Sequence, residues 1–218
     1  ANGQLGLGDA TARSSPVQVG DLTTWNKVTT QGNATHAIKT DGTLWAWGAN
    51  TKGQLGHGNT TARSSPVQVG DLTTWAEVFA AGNTYRFTLA IKTDGTLWSW
   101  GDGMYGQTGQ GDQTDRSSPV QVGSLTDWAS LPKNGAAAIT AAAIKTDGTM
   151  WGWGDGNAGR IGMRNTTDYS SPVQLGSGGG WVDRAFGQQQ QAALRRPTIA
   201  AGTTSGYLFS WGDNSPDG

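Results

Sequence analysis

The segment Ile38-Lys39-Thr40-Asp41-Gly42-Thr43-Leu44-Trp45-Ala46-Trp47-Gly48 returns at Ile91 to Gly101 and again, with Met150 in place of leucine, at Ile144 to Gly154. A spacing of 53 residues held this tightly means tandem copies of one supersecondary unit, each too small to bury its own apolar face. Other fragments keep the same phase. Ser-Ser-Pro-Val-Gln starts at Ser14, Ser64, Ser117 and Ser170, and Gly-Gln-Leu-Gly at Gly3 and Gly53 becomes Gly106-Gln107-Thr108-Gly109 and Gly159-Arg160-Ile161-Gly162. The repeats run approximately over 1–48, 49–101, 102–154 and 155–212, with the terminal segments shared in one unit. A chain of 218 residues is long enough to hold them as a single large domain.

Within the first repeat, Pro16-Val17-Gln18-Val19 alternates polar and apolar, Trp25 to Val28 follows, and Ala37-Ile38-Lys39 leads into Leu44-Trp45-Ala46-Trp47. This predicts four short strands per repeat. Asp41-Gly42, Asp94-Gly95 and Asp147-Gly148 predict type I′ hairpin turns, because that turn needs positive φ at both central residues and Asp-Gly tolerates it; Ser205-Gly206 takes the place in the fourth unit. Four-stranded units of this size are the blades of a β-propeller, which arranges sheets radially and leaves few exposed edges. The expected fold is therefore all-β, a propeller of about four blades.

Leu44 to Trp47 is apolar on both faces, as suits a strand sandwiched between neighbouring sheets. The 11 tryptophans all fall into register: Trp25, Trp75, Trp128 and Trp181; Trp47, Trp100, Trp153 and Trp211; and Trp45, Trp98 and Trp151, where Phe209 completes the set. Each ring can bury on the order of 150–250 Å², so a column supplies several kcal/mol per blade at about 25 cal/mol/Å² before entropy is subtracted. Packing between blades, not an aromatic ligand cage, is the expected use. Ala136 to Ala143 reads as helix on propensity alone, but its alignment with Thr84 to Ala90 assigns it to a strand. The fourth repeat departs furthest, carrying Gln188 to Gln191, Ala192-Ala193 and Arg195-Arg196-Pro197; a divergent terminal repeat is normal in such arrays.

The pattern Ala-Ile-Lys-Thr-Asp-Gly-Thr-Leu-Trp-Ala-Trp-Gly-Ala-Asn, then Gly-Gln-Leu-Gly-His-Gly, then Pro-Val-Gln-Val, resembles the regulator of chromosome condensation repeat, especially its regular bacterial and viral versions. The resemblance covers nearly the whole chain. It implies a β-propeller, usually of seven blades, in a family whose founder is a guanine nucleotide exchange factor that binds nucleosomes and whose other members are mostly interaction modules. This chain holds about four repeats. It is expected to be a four-bladed ring closed by its own termini, an assembly completed by a second chain, or a segment of a longer array, and the missing initiator methionine favours the segment.

The chemistry expected of it is that of binding. Net charge is −1 and 14% of residues are charged, against the basic stripe of a nucleic-acid reader. The absence of cysteine excludes disulfides and thiolate metal sites, and no apolar run reaches membrane-spanning length. No nucleophile elbow, P-loop or paired-carboxylate motif occurs, so neither a catalytic site nor a cofactor is expected. His36 and His57 are expected at the surface or in loops, and Asp41, Asp94 and Asp147 in turns. Gly101-Asp102-Gly103 and Gly109 to Asp112 lack the dense oxygen run of a calcium loop. Arg13, Arg63 and Arg116 share one position before Ser-Ser-Pro, with Tyr169 at the fourth, and guanidinium groups suit carboxylate or phosphate partners. The competing expectation is that each pairs within its own blade. Arg195 and Arg196, in the divergent stretch, form the second candidate patch. The functional expectation is a non-catalytic structural or interaction module, extracellular or on a virion surface, docking to protein or glycan; the alternative is an intracellular guanine nucleotide exchange regulator of a small GTPase.

Overall fold

The computed structural model describes residues 2–21, 23–82, 85–135, 139–186, 190–196 and 206–212. Every long element is a strand. β1 (Trp25–Gln31), β2 (Ala34–Lys39), β3 (Leu44–Gly48) and β4 (Arg63–Gln68) form one antiparallel sheet in that order. β5 (Trp75–Ala81), β6 (Phe87–Lys92), β7 (Leu97–Gly101) and β8 (Arg116–Gln121) form the second. β9 (Trp128–Ser130), β11 (Thr140–Lys145), β12 (Met150–Gly154) and β13 (Tyr169–Gln174) form the third, and β10 (Asn134–Gly135), β14 (Trp181–Phe186), β15 (Gln190–Arg195) and β16 (Tyr207–Gly212) the fourth. This is the all-β propeller architecture expected from the repeat. Each of the first three sheets takes its outermost strand from the start of the following sequence repeat, whereas in the fourth sheet β16 is outermost and the short β10 pairs parallel to β14 on the inner side.

The alanine-rich stretch is strand at Thr140–Lys145, where burial between two sheets overrides helix propensity; 136–138 lie outside the described residues. The hairpin turn differs from the expected one. Gly42 N–H donates to the Lys39 carbonyl at 3.0 Å and Lys39 N–H to the Thr43 carbonyl at 3.0 Å. Gly42 alone of the Asp-Gly pair has positive φ, 78°, so the turn is type I closed by a glycine bulge. Asp41 stays right-handed while its carboxylate caps the turn from within. That group accepts from Thr43 N at 2.9 Å and Thr43 Oγ1 at 2.7 Å, and Thr43 Oγ1 accepts from Trp45 Nε1 at 2.9 Å. The same relay recurs at Asp94, Thr96 and Trp98 and at Asp147, Thr149 and Trp151. Hydrogen bonding from the threonine hydroxyls holds the pKa of Asp41, Asp94 and Asp147 below the usual carboxylate value.

The tryptophan columns form the core, as their register predicts. In the second sheet Trp75 packs edge-on to Trp98 and Trp100, with ring centroids 6.0 Å apart in both pairs. The Lys92 ammonium lies 3.5 Å from the Trp98 centroid and 4.9 Å from that of Trp75, and burial lowers its pKa. A cation held over desolvated rings contributes about 2 kcal/mol. Lys39 and Lys145 repeat the arrangement. Sheets are joined through the Gly-Gln-Leu-Gly loops: Trp47, Trp100, Trp153 and Trp211 each donate the indole N–H to the carbonyl of Gln4, Gln54, Gln107 and Arg160 of the preceding loop, at 2.8–3.1 Å. Gly56 lies so close to Trp100 that a Cβ there would meet Nε1 at 2.9 Å.

His36 corrects the sequence expectation. It sits on β2, which is buried throughout, with no exposed surface. Its Nε2 lies 2.9 Å from the Gln54 carbonyl, which also accepts from Trp100 Nε1 and, at 3.0 Å, from Thr88 Oγ1. Donation to that carbonyl places the imidazole proton on Nε2. Desolvation pushes its pKa down to about 4. Leu89 and Ala142 occupy the same register position in β6 and β11, so the position is a core position that happens to carry histidine. His57 is half-buried, contacts the Val67 carbonyl at 3.2 Å and has its pKa lowered by burial.

Candidate functional site

The sheets present two ends. The Asp-Gly turns lie at one. At the other, β6 begins, β7 ends and β8 starts, and the long connections after β3, β7 and β12 gather. Arg63, Arg116 and Tyr169 occupy one register position there, opposite Gly48, Gly101 and Gly154. Arg13 stands at the matching point of the first repeat.

The expectation that these groups pair within their own loops holds for two of the arginines. Arg13 Nη2 lies 2.6 Å from Asp9 Oδ2 and Arg116 Nη2 2.6 Å from Asp112 Oδ2. Tyr169 accepts a hydrogen bond from Asn165 Nδ2 at 3.0 Å. At Arg63 the acid is replaced by Asn59, and among the described residues the only hydrogen bond of its guanidinium is to the Ala62 carbonyl at 3.5 Å. Arg63 thus keeps its charge available. Arg195 belongs to the scaffold. It faces Trp181 across β14 and β15, as Lys39 faces Trp25, stacks over the Trp181 ring at 5.6 Å and donates to the Gly179 carbonyl at 2.8 Å. Arg196 is exposed. The arginine candidates are therefore not one equivalent set.

The second blade adds a cluster that the sequence reading missed. Tyr85 and Tyr105 pack edge-on with centroids 5.0 Å apart and hydroxyls 3.5 Å apart, and that contact raises the pKa of Tyr105. Met104 beside them is 53% exposed. Arg86 reaches Thr51 of the preceding loop at 3.3 Å, and Lys52 bridges Asp102 and Asp115 at 3.4 and 3.0 Å. The signal was present in the repeat alignment: Met104-Tyr105 stand where the neighbouring repeats have Thr51-Lys52 and Asn157-Ala158, and the loop before β6 is longer than the one before β2. Aromatic, methionine and arginine side chains gathered at a surface, here with Met104 exposed and Tyr85, Arg86 and Tyr105 half-buried, are the composition of a protein-binding patch. Asp102 and Asp112, weighed as calcium-loop residues, are bound instead to Met104 N, Gln107 and Arg116, and the described residues hold no cluster of three or more metal-ligating side chains.

A further hollow of about 300 Å³ lies where the inner strands converge, lined by Lys27, Glu77, Lys133 and Asp183 among others. Its charges neutralise one another: Lys27 pairs with Glu77 at 3.3 Å and Lys133 with Asp183 at 3.6 Å, while Glu77 Oε2 accepts from Leu131 N at 3.1 Å. No helix among the described residues is long and apolar enough to cross a membrane.

Comparison with known proteins bears on this geometry. The model of the regulator of chromosome condensation (RCC1) repeat matches residues 41–90, 94–135 and 147–194. The ultraviolet-B receptor UVR8 of Arabidopsis thaliana is 32% identical over 176 residues, covering 80% of this chain and 40% of that protein. The X-linked retinitis pigmentosa GTPase regulator of Canis lupus familiaris is 32% identical over 88 residues, 40% of this chain and 9% of that protein. Among solved structures, Prp20p of Saccharomyces cerevisiae, described with its binding properties to Gsp1p and histones, superposes with a TM-score of 0.73 at 18% identity over 92% of this chain and 48% of that one. The chain spans less than half the length of each of these proteins.

Proposed function

Because the chain belongs to the RCC1-repeat family, whose propellers serve as protein-interaction modules, we propose that it acts as a rigid, non-catalytic docking platform for a protein partner. The surface is the loop end of the second blade. One observation carries this reading: half-buried Tyr85 and Tyr105 pack together next to the exposed Met104 at the point where the repeat is broken, at the same loop end of the sheets as Arg63 on β4. A site that selects one partner must break the symmetry of its scaffold, and this cluster does. The partner surface that fits it is apolar at its centre, with a carboxylate at its rim for Arg63. Prp20p, described as binding Gsp1p and histones, supports the proteinaceous partner by likeness of fold.

The test is a cross-linking capture from native extract with the unaltered chain, Met104→Asp and Arg63→Glu. Proteins held by the unaltered chain and lost with both variants support the surface; an unchanged set of captured proteins refutes it. A second reading, guanine nucleotide exchange on a small GTPase, draws on the relative named as a GTPase regulator. A nucleotide-release assay against a panel of small GTPases separates the two, since a docking platform leaves the release rate at its spontaneous value. The finer placement, a virion-surface or extracellular component with a protein or glycan partner, is carried by the near-identity of the repeats alone and gains nothing from the relatives named above. Recovery of the protein solely from cytosol would sink it.

A further inference from the structure

The second blade departs from the repeat at two places, and the two departures touch. Between β1 and β2 the connection is residues 32–33, whereas between β5 and β6 it is the longer 82–86, which carries Tyr85. The second departure is Tyr105, which stands before Gly106 where Lys52 and Ala158 stand before Gly53 and Gly159. The chain has 4 tyrosines, and among the described residues these are the two whose rings meet. Tyr169 is engaged with Asn165 instead, and Tyr207 lies on β16, 62% exposed.

The contact is held from both sides. The carbonyl of Arg86, next to Tyr85, accepts from Asp102 N at 2.8 Å, and Arg86 Nη1 reaches Thr51 Oγ1 at 3.3 Å. On the facing loop, Tyr105 N donates to Gln107 Oε1 at 2.8 Å and Gly106 N to the Gly103 carbonyl at 2.8 Å. With their backbones tied, the rings pack with planes at 88° and centroids 5.0 Å apart, toward the short end of the ~4.5–7 Å range of aromatic pairs. The hydroxyl oxygens are 3.5 Å apart, nearer than the ring centres, so the rings converge toward their phenolic ends. The ring carbons beside each hydroxyl lie on those converging ends. Both residues are half-buried, which leaves part of each in reach of solvent.

We propose that Tyr85 and Tyr105 form a site of oxidative cross-linking, joined by a carbon–carbon bond between their ortho positions when a one-electron oxidant acts on them. Each phenol gives up one electron and its hydroxyl proton, and the two ring radicals pair at the ortho carbons. The hydrogen on each of those carbons then moves to the oxygen of its own ring and restores both phenols. The pair as a whole loses two electrons and two protons. A haem peroxidase working with hydrogen peroxide accepts them, and the peroxide leaves as two waters. The rings can stay twisted about the new bond, so their crossed planes need not be undone. Two radicals held in contact react as one unit, which favours this bond over one between molecules. Met104 beside them is 53% exposed, and its thioether takes a different course, in which peroxide alone adds an oxygen atom.

The link fastens the connection before β6 to the one before β8. It ties residues 20 apart, a constraint that falls chiefly on the unfolded chain. The site stands whether or not a protein partner docks on the same end of the blade.

The experiment treats the 218-residue chain with a haem peroxidase and a limiting amount of hydrogen peroxide. The single chain is expected to lose the mass of two hydrogen atoms and to gain the blue emission of linked tyrosines under excitation beyond the tryptophan band. Digestion is expected to release one joined peptide that contains Tyr85 and Tyr105. Tyr85→Phe and Tyr105→Phe each keep the ring and remove the hydroxyl, so each is expected to abolish the link, while Tyr207→Phe leaves it. Unfolding in urea separates the rings, and the yield within a chain is expected to fall about tenfold or more, with the peroxidase checked on free tyrosine in the same urea. Peroxide without peroxidase is expected to oxidise Met104 and form no link. A yield that urea or either of the first two variants leaves unchanged overturns the proposal. Links found solely between chains, at twice 22.7 kDa, also overturn it and assign the chemistry to exposed Tyr207. So does a chain that forms no link, with or without added oxygen.

Discussion

The buried histidine makes the stability of the first two blades depend on pH in a window that no carboxylate shares. His36 has its pKa depressed from the ordinary 6.5 to about 4, first by desolvation, with a smaller contribution from His57. Between these values the unfolded chain binds a proton that the folded chain refuses, so stability is fully present above about pH 6.5 and is lost as pH falls toward about 4. With those two constants the loss between pH 7 and pH 5 is about 2 kcal/mol, and its slope approaches about 1.4 kcal/mol per pH unit. The carboxylates with lowered values, Asp9, Asp41, Asp94, Asp112 and Asp147, act below about pH 4. Half-buried His57 shares the histidine window and shifts in the same direction, which is why a variant is needed. His36→Leu places in β2 the residue that β6 carries at Leu89, and the Gln54 carbonyl keeps Trp100 and Thr88 as donors. Urea unfolding followed by tryptophan fluorescence at pH 7 and pH 5 is expected to show about 2 kcal/mol less acid sensitivity in the variant. Equal sensitivity in both proteins refutes the reasoning, as does an imidazole resonance of His36 that titrates near pH 6.5.

Gly56→Ala brings a Cβ to 2.9 Å from Trp100 Nε1 at φ 79°, while Gly70→Ala, at φ 61°, meets nothing within 4 Å; the first is expected to cost about 3 kcal/mol and the second about 1 kcal/mol in chemical denaturation. Thr96→Val breaks the Asp94–Thr96–Trp98 relay and leaves the indole N–H of Trp98 without its acceptor, an expected loss of about 1–2 kcal/mol measurable as a lowered Tm. Arg116→Ala removes an exposed pair with Asp112 and is expected to change stability by less than about 1 kcal/mol. A larger change would show that the loop arginines serve the scaffold and not its surface.

Periodicity alone made the fold class, the sheet strands and the tryptophan columns legible, because a repeat that cannot bury its own apolar face has to stack, and eleven rings in register leave one way to do it. Sequence offered Arg13 and Arg116 both as partner-binding candidates and as groups paired within their own blades, and the pairs with Asp9 and Asp112 are what the structure shows. Three things depended on tertiary structure. The burial of His36 is set by the sheet packed against β2, which a single strand's pattern does not reveal. The tyrosine cluster arises because two separate connections bring Tyr85 to Tyr105, a contact between residues 20 apart. The clearest case is Arg-Ser-Ser-Pro-Val-Gln, a strand at 63–68 and 116–121 and no strand at 13–18: six identical residues take different structure because a strand's hydrogen bonds belong to its neighbour, and only the assembled sheet supplies one.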